Sequence, residues 1–273
     1  MTVSIEVGQG SEGRSIAVEA RDGAGPPVVW FGGFRSDMRA TKAAALDAWA
    51  AETGRRFVRF DYSGHGESGG AFVDGTISRW LEEGLAVLAA YAPKRPVLVG
   101  SSMGAWVATL AALRLTAECG DRAPAALVLL APAIDFTERL MWDALSSEAR
   151  DTLAVDGVYY RPSLYSDEPY PITAKLIEDG RRHLLLGGPI RTNTPVHVLQ
   201  GMQDPDVPWE HALSFVERLP GENVQLTLIK DGDHRLSRPE DIERLIRAVE
   251  TVLRRTDRPV SSDRPSEGPE PRR

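Results

Sequence analysis

Gly100-Ser101-Ser102-Met103-Gly104 is preceded by Pro96-Val97-Leu98-Val99 and followed by Ala105-Trp106-Val107-Ala108-Thr109-Leu110-Ala111-Ala112-Leu113. The first flank reads as a short buried strand and the second as an Ala/Leu-rich helix packed closely on a sheet. A Gly-x-Ser-x-Gly turn between strand and helix is a nucleophile elbow, which lifts the central serine hydroxyl clear of the sheet. Gly100 and Gly104 carry no side chain, so strand and helix can approach. The Met103 N–H, at the helix start, is then available as an oxyanion donor.

Outward from the elbow, strand and helix patterns alternate. Residues 3–7 and 15–20 read as an antiparallel opening, and 26–31 as a buried strand running into Gly32-Gly33. A helix follows over 40–54, a strand over 56–60, a long amphipathic helix over 77–91 and a strand over 126–130. This alternation implies parallel strands joined by right-handed crossovers, in a three-layer α/β sheet. The pattern stops at residues 133–194, which hold helix-like pieces (137–145, 147–155, 173–186) and no convincing strand. That stretch is rich in aromatics (Phe136, Trp142, Tyr159, Tyr160, Tyr165, Tyr170). It is expected to be a helical cap inserted after the sixth strand, with Trp142 and Tyr160 as candidate substrate-binding residues. Strands return at 195–201 and 224–230, and a helix over 241–254 closes a single domain of residues 1–255. Residues 256–273 are Pro/Ser/charge-rich and are expected to be disordered.

A serine hydroxyl needs a general base, itself oriented by an acid. Of the five histidines, His234 is the candidate base, in the loop after the last strand. His65 sits in a glycine turn and reads as a surface or crevice-edge residue. His183 and His211 fall in helical patterns and His197 in a strand. Asp204, just past the strand at 195–201, is the candidate acid. Asp206 is a neighbour that could instead cap the next helix, and Asp135 lies after the preceding strand. The second oxyanion donor is expected from the Phe34 N–H in Gly32-Gly33-Phe34. Arg35, next to it, is a candidate for receiving a substrate carboxylate.

Composition narrows the rest. The chain has 273 residues, 42% hydrophobic and 26% charged, with a net charge of −7. That charge argues against nucleic acid as a partner. No apolar run approaches the roughly 18 residues of a membrane span, and the opening residues lack a secretory pattern. The single cysteine, Cys119, reads as an inert thiol in a reducing compartment. No dinucleotide, P-loop or metal-ligand motif is present, so neither cofactor nor metal is expected.

Several segments together resemble the α/β-hydrolase superfamily. More narrowly they are similar to the palmitoyl-protein thioesterase and mycophenolic acid acyl-glucuronide esterase family (α/β-hydrolase domain-containing protein ten) and its bacterial relatives. They are Gly32-Gly33-Phe34-Arg35-Ser36-Asp37-Met38, Phe60-Asp61-Tyr62-Ser63-Gly64-His65-Gly66, the elbow, Gly201-Met202-Gln203-Asp204, Val207-Pro208-Trp209 and Asp233-His234-Arg235. The resemblance covers nearly the whole chain except the tail. It implies an α/β-hydrolase fold and cofactor-free hydrolysis of acyl esters or S-acyl thioesters. It places nucleophile, acid and base on Ser102, Asp204 and His234. The substrate would be a small-molecule ester or an acylated protein. Two departures stand out. The mitochondrial transit peptide of eukaryotic members has no counterpart here, so their location does not carry over, and the cysteine usage with no secretory or membrane pattern leaves a cytoplasmic location as the expectation. The His-Gly pair of the wider superfamily is Gly32-Gly33. A non-catalytic ligand-binding protein, an amidase and a carbon–carbon hydrolase are the alternatives left open by the sequence.

Overall fold

In a computed structural model of the chain, residues 1–118, 122–162 and 169–256 are described. Cys119, Tyr165 and the tail beyond Thr256 lie outside them. The alternating pattern gives β1 (Thr2–Val7), β2 (Arg14–Arg21), β3 (Ala24–Phe31), α1 (Thr41–Thr53), β4 (Arg55–Phe60), α2 (Ile77–Tyr91), β5 (Val97–Ser101), α3 (Met103–Ala117) and β6 (Ala126–Leu130). After β6 come α4 (Ser147–Asp156), β7 (Val158–Arg161), β8 (Tyr170–Thr173) and α5 (Ala174–Gly180). Then follow β9 (Val196–Gly201), α6 (Trp209–Glu217), β10 (Val224–Ile229) and α7 (Pro239–Thr256).

Eight strands form one sheet in the order β1-β2-β4-β3-β5-β6-β9-β10. β1 with β2 and β2 with β4 are antiparallel, and every later pairing is parallel. Both faces of the parallel part are covered, so its strands read as continuous apolar runs. Val28, Trp30, Val97, Val99 and Val128 face a core layer shared with α1 and α7. Val29, Phe31, Leu98, Leu127 and Val198 face the opposite layer, under α2, α3 and α6. α3 is buried from Met103 to Ala112, and its alanines let the helix axis lie close to the strands. α2 starts at a Thr76 cap, whose hydroxyl accepts the Arg79 N–H at 3.2 Å, and buries Ile77, Trp80, Leu81 and Leu88 at helical spacing.

The stretch between β6 and β9 is not purely helical. It carries α4, α5, a π-helical turn over Thr137–Met141 and short 3-10 turns at Trp142–Ala144 and Arg181–His183. β7 and β8 add an antiparallel pair, with Tyr160 opposite Pro171. The sequence expectation of no strand here is therefore corrected. Pro169 and Pro171 hide the hairpin, because proline removes a ladder donor and is tolerated only where no further strand pairs with it.

A buried charge cluster anchors the loop after β4. Glu83 of α2 is fully buried and accepts from Arg14 Nε, from Ser63 N at 2.9 Å and from Ser63 Oγ at 2.6 Å. Arg14 also reaches Glu82 at 2.6 Å, and these pairings raise its pKa against the opposing effect of burial. Buried ions persist when each charge is paired and its remaining donors are used. The consequence is a rigid Asp61–Gly66 loop at the carboxyl end of the sheet.

Candidate active site

The turn from β5 into α3 has the strain of an elbow. Ser102 sits at φ 53°, ψ −119°, a conformation an L-residue adopts at a cost of about 1–3 kcal/mol and which clusters at functional sites. A Cβ on Gly100 would lie 2.6 Å from Ala105 Cα, and one on Gly104 would lie 2.1 Å from Phe31 O. Only glycine fits either place. The Ser102 side chain does not cap α3, so its hydroxyl is not consumed by the helix it precedes.

Neighbouring strand ends are laced together. Ser102 N–H donates to Leu130 O, Ala131 N–H to Leu199 O and Met202 N–H to Ile229 O, each at 2.9 Å. These bonds link β5 to β6, β6 to β9 and β9 to β10 at their carboxyl ends. Gln203 N–H donates to Gly232 O at 2.9 Å, and a Cβ on Gly201 would meet that same oxygen at 2.4 Å. The loops after β9 and β10 are thereby pressed together.

Across them His234 Nδ1 lies 2.8 Å from Asp204 Oδ2. The carboxylate accepts, so Nδ1 carries the proton and Nε2 keeps its lone pair. The Asp204 side chain has no exposed surface while His234 retains 18%. Asp204 Oδ1 also accepts the N–H groups of Asp206 (2.9 Å) and Val207 (2.8 Å), and Gln200 Nε2 approaches Oδ2 at 3.3 Å. The acid is thus fixed by its own loop and the base by the acid.

The other acids have different work. Asp135 is buried and takes the Leu185 and Leu186 N–H groups at 2.8–3.0 Å; burial pushes its carboxyl pKa up. It pins the segment before β9 to the end of β6. Asp206 does not cap α6, whose N-cap is Pro208 without a side-chain bond. Asp204, Asp206 and His234 offer ligand atoms within 4.8 Å of one another. The imidazole nitrogen that faces the carboxylates is already hydrogen-bonded to Asp204, so the donor set suits an acid–base pair better than a metal.

The loop after β3 lies against the elbow. A Cβ on Gly33 would stand 3.3 Å from Ser101 O and 3.5 Å from Ser102 Cβ. Gly33 O closes a turn by accepting the Ser36 N–H at 3.1 Å, a bond in which the Phe34 N–H has no part. Met103, first residue of α3, has no carbonyl one turn back within the helix to take its N–H. The Phe34 ring contacts Phe72, Trp80, Phe136 and Tyr170 at centroid distances of 4.9–6.0 Å. Beside this loop is a cavity of about 420 Å³ bounded by Arg35, Ser36, Asp37, His65, Phe72 and Pro169, among others. Arg35 Nη1 reaches Pro169 O at 3.4 Å, and its guanidinium stands 5.8 Å from the Phe72 ring centre.

Comparison with known proteins gives the family. Residues 23–245 match the model of the alpha/beta hydrolase family. The chain belongs to the alpha/beta hydrolase family. Among curated proteins, the mitochondrial palmitoyl-protein thioesterase ABHD10 of Mus musculus is 32% identical over 244 residues, 89% of this chain and 80% of that protein. The Homo sapiens counterpart is 31% identical, over 88% of this chain and 76% of its own length. Among solved structures, a putative hydrolase from Agrobacterium vitis S4 superposes with a TM-score of 0.90 at 51% identity, covering 93% of this chain and 98% of that one. The alpha/beta hydrolase domain-containing protein 10 from mouse gives 0.83 at 30% identity, over 93% and 99%.

Within this alpha/beta hydrolase, Asp204 and His234 meet directly, and Phe34 and Met103 flank the Ser102 turn. Trp142 has a different environment from the one its aromatic neighbourhood suggests. Arg150 and Arg181 place their guanidinium carbons 4.9 and 4.8 Å from its ring centre, a cation–π arrangement. Tyr160 is 57% exposed on β7. The aromatics between β6 and β9 that reach the loop after β3 are Tyr170 and Phe136, packed on Phe34. His183, His197 and His211 bond Ser78 Oγ, Thr227 Oγ1 and Ile134 O. His65 stands at the crevice edge, one of its two expected places, and not at the surface. It is 4% exposed, and its Nε2 accepts the Arg35 N–H at 3.1 Å.

Proposed function

We propose that this alpha/beta hydrolase is a serine enzyme that cleaves acyl esters or S-acyl thioesters through an acyl-enzyme. The observation that carries the reading is the 2.8 Å His234–Asp204 bond at strand ends laced to the Ser102 elbow. Ser102 Oγ attacks the acyl carbon while His234 Nε2 takes its proton. The carbonyl π electrons move to oxygen, where the Phe34 and Met103 N–H groups stabilise the charge. The intermediate collapses, and His234 returns the proton to the departing alkoxide or thiolate. Water then repeats the cycle in reverse and frees the acid. Asp204 remains ionised throughout and stabilises the imidazolium.

The name palmitoyl-protein thioesterase carried by the relatives supports a long acyl chain and a sulfur leaving group for this chain's substrate. Tyr170 and Phe136, packed on Phe34, supply apolar surface for such a chain. Arg35 is the group we assign to a carboxylate on the leaving side. With one cysteine in the sequence, a reducing compartment is suitable, and the cytoplasm is our reading; among the described residues no helix is long and apolar enough to cross a membrane.

A matched palmitoyl thioester and palmitoyl oxygen ester separate the two substrate classes. The expected result is a kcat/KM at least about tenfold higher for the thioester, the preference vanishing with Ser102→Ala. Turnover of the oxygen ester alone makes the protein a carboxylesterase. Turnover of neither removes the long-chain acyl assignment.

A further inference from the structure

We propose that His65 is a positioning residue for the reaction: its ring nitrogen accepts the Arg35 N–H and so holds the Gly33–Ser36 turn in the conformation that presents the Phe34 N–H to the oxyanion. The inference rests on the function proposed above and adds a residue to its machinery.

The turn needs such a brace. It is closed by Ser36 N–H to Gly33 O, and its third residue, Arg35, is left-handed at φ 59°. Phe34 is not among the residues of positive φ. That combination is the signature of a type II turn, which calls for glycine at the third position. Arginine there costs on the order of 1 kcal/mol. Gly32 and Gly33 have no side chains to restrain the loop from within. The central peptide of the turn, whose N–H belongs to Arg35, is the unit that flips when a type II turn relaxes to type I. His65 Nε2 holds that N–H at 3.1 Å.

His65 is itself built in. Its ring packs against Tyr62, Phe72 and Trp80 at centroid distances of 5.1–5.8 Å. His65 Nδ1 lies 3.2 Å from Ser63 O, an acceptor, which places the ring proton on Nδ1 and leaves Nε2 as the acceptor. Ser63 is held in turn by buried Glu83. A phenyl ring would satisfy the packing alone, so the nitrogens are what distinguish histidine here. Protonated, Nε2–H would oppose Arg35 N–H, donor against donor. Burial foremost, with a smaller effect from the Arg35 charge, brings the His65 pKa down to about 4 against the Ser63 carbonyl. Arg35 is the charge that acts on the His65 ring, and Glu83 of α2 acts through Ser63. The acceptor therefore persists over the range in which an ordinary histidine base works. Asp61 fixes the far end of the same loop, accepting Met38 N–H at 2.6 Å.

The test compares His65→Leu, which removes the acceptor, with His65→Gln, whose Oε1 can occupy the Nε2 position. The readouts are kcat and KM on the palmitoyl thioester, Tm, and Ki for phenylboronic acid, whose tetrahedral serine adduct fills the oxyanion site. Expected for His65→Leu are a kcat lower by about tenfold to a hundredfold, a boronate Ki raised by a similar factor and a KM within about twofold. His65→Gln should recover most of both losses. Full kcat in folded His65→Leu, or equal losses in both variants tracking Tm with no boronate effect, would overturn the proposal. If neither variant folds, ¹⁵N-histidine NMR of the unaltered protein decides. An unprotonated His65 Nε2 coupled to the Arg35 N–H down to about pH 5 supports it, and a protonated Nε2 at neutral pH overturns it. Ser102→Ala runs alongside. If it keeps full turnover, the serine reading itself fails. If it is inactive while the His65 variants are fully active, only the positioning role is lost.

Discussion

Ser102→Ala is expected to lower kcat on any accepted acyl substrate by about 10⁴–10⁶-fold, with the fold and KM retained. The size follows from the chemistry. In the proposed mechanism, removing Oγ removes the covalent intermediate, and leaves His234 at best to activate a water for which the site is not arranged. What remains is the contribution of the oxyanion donors and of substrate binding. The backbone strain at φ 53° is carried by the elbow and not by the hydroxyl, so Tm should stay within a few degrees. Kinetics of purified protein, with a mass-verified sample free of wild-type contamination, read this directly. A kcat within tenfold of wild type would remove Ser102 from the chemistry. Such a result would favour a water-activating mechanism on His234 or a site elsewhere.

Asp204→Asn is expected to cost about 10⁴-fold in kcat while leaving the backbone of the loop in place. The cause is a tautomer change. In the wild type the Asp204 carboxylate accepts from His234 Nδ1–H at 2.8 Å, which leaves the Nε2 lone pair free; in the proposed mechanism that lone pair takes the Ser102 proton. Asparagine can turn its amide N–H toward Nδ1, moving the ring proton to Nε2 and leaving no base facing Ser102. The amide oxygen can still serve Asp206 N–H and Val207 N–H, so folding is preserved. A loss smaller than about tenfold would show that His234 works without its orienting acid. Asp135→Asn provides the contrast. Its carboxylate serves the Leu185 and Leu186 N–H groups and not a histidine.

The legible parts of this protein are those where one local rule decides. Ala126–Leu130 is a strand in sequence and structure alike because both faces of a parallel sheet are covered. Ile77–Tyr91 matches to the residue because its apolar spacing and its Thr76 cap agree. The elbow was legible because no residue but glycine fits at 100 or 104. Asp204 and His234 were singled out because strand ends gather on one crevice, and the structure places the two side chains 2.8 Å apart. The obscure parts depend on partners distant in the chain. His65 reads as a turn residue, and the rings of Tyr62, Phe72 and Trp80 bury it. Trp142 reads as pocket lining until Arg150 and Arg181 are seen over its ring. The β7–β8 hairpin is short and proline-interrupted, so its pattern falls below what periodicity resolves.

A fluorophosphonate probe, which reacts covalently with an activated serine, distinguishes a Ser102 acyl-enzyme from any other route. The expected result is a single stoichiometric adduct by intact mass, mapped to Ser102 by peptide sequencing and absent from Ser102→Ala. An unmodified protein, or an adduct mapped to any other residue, would contradict it.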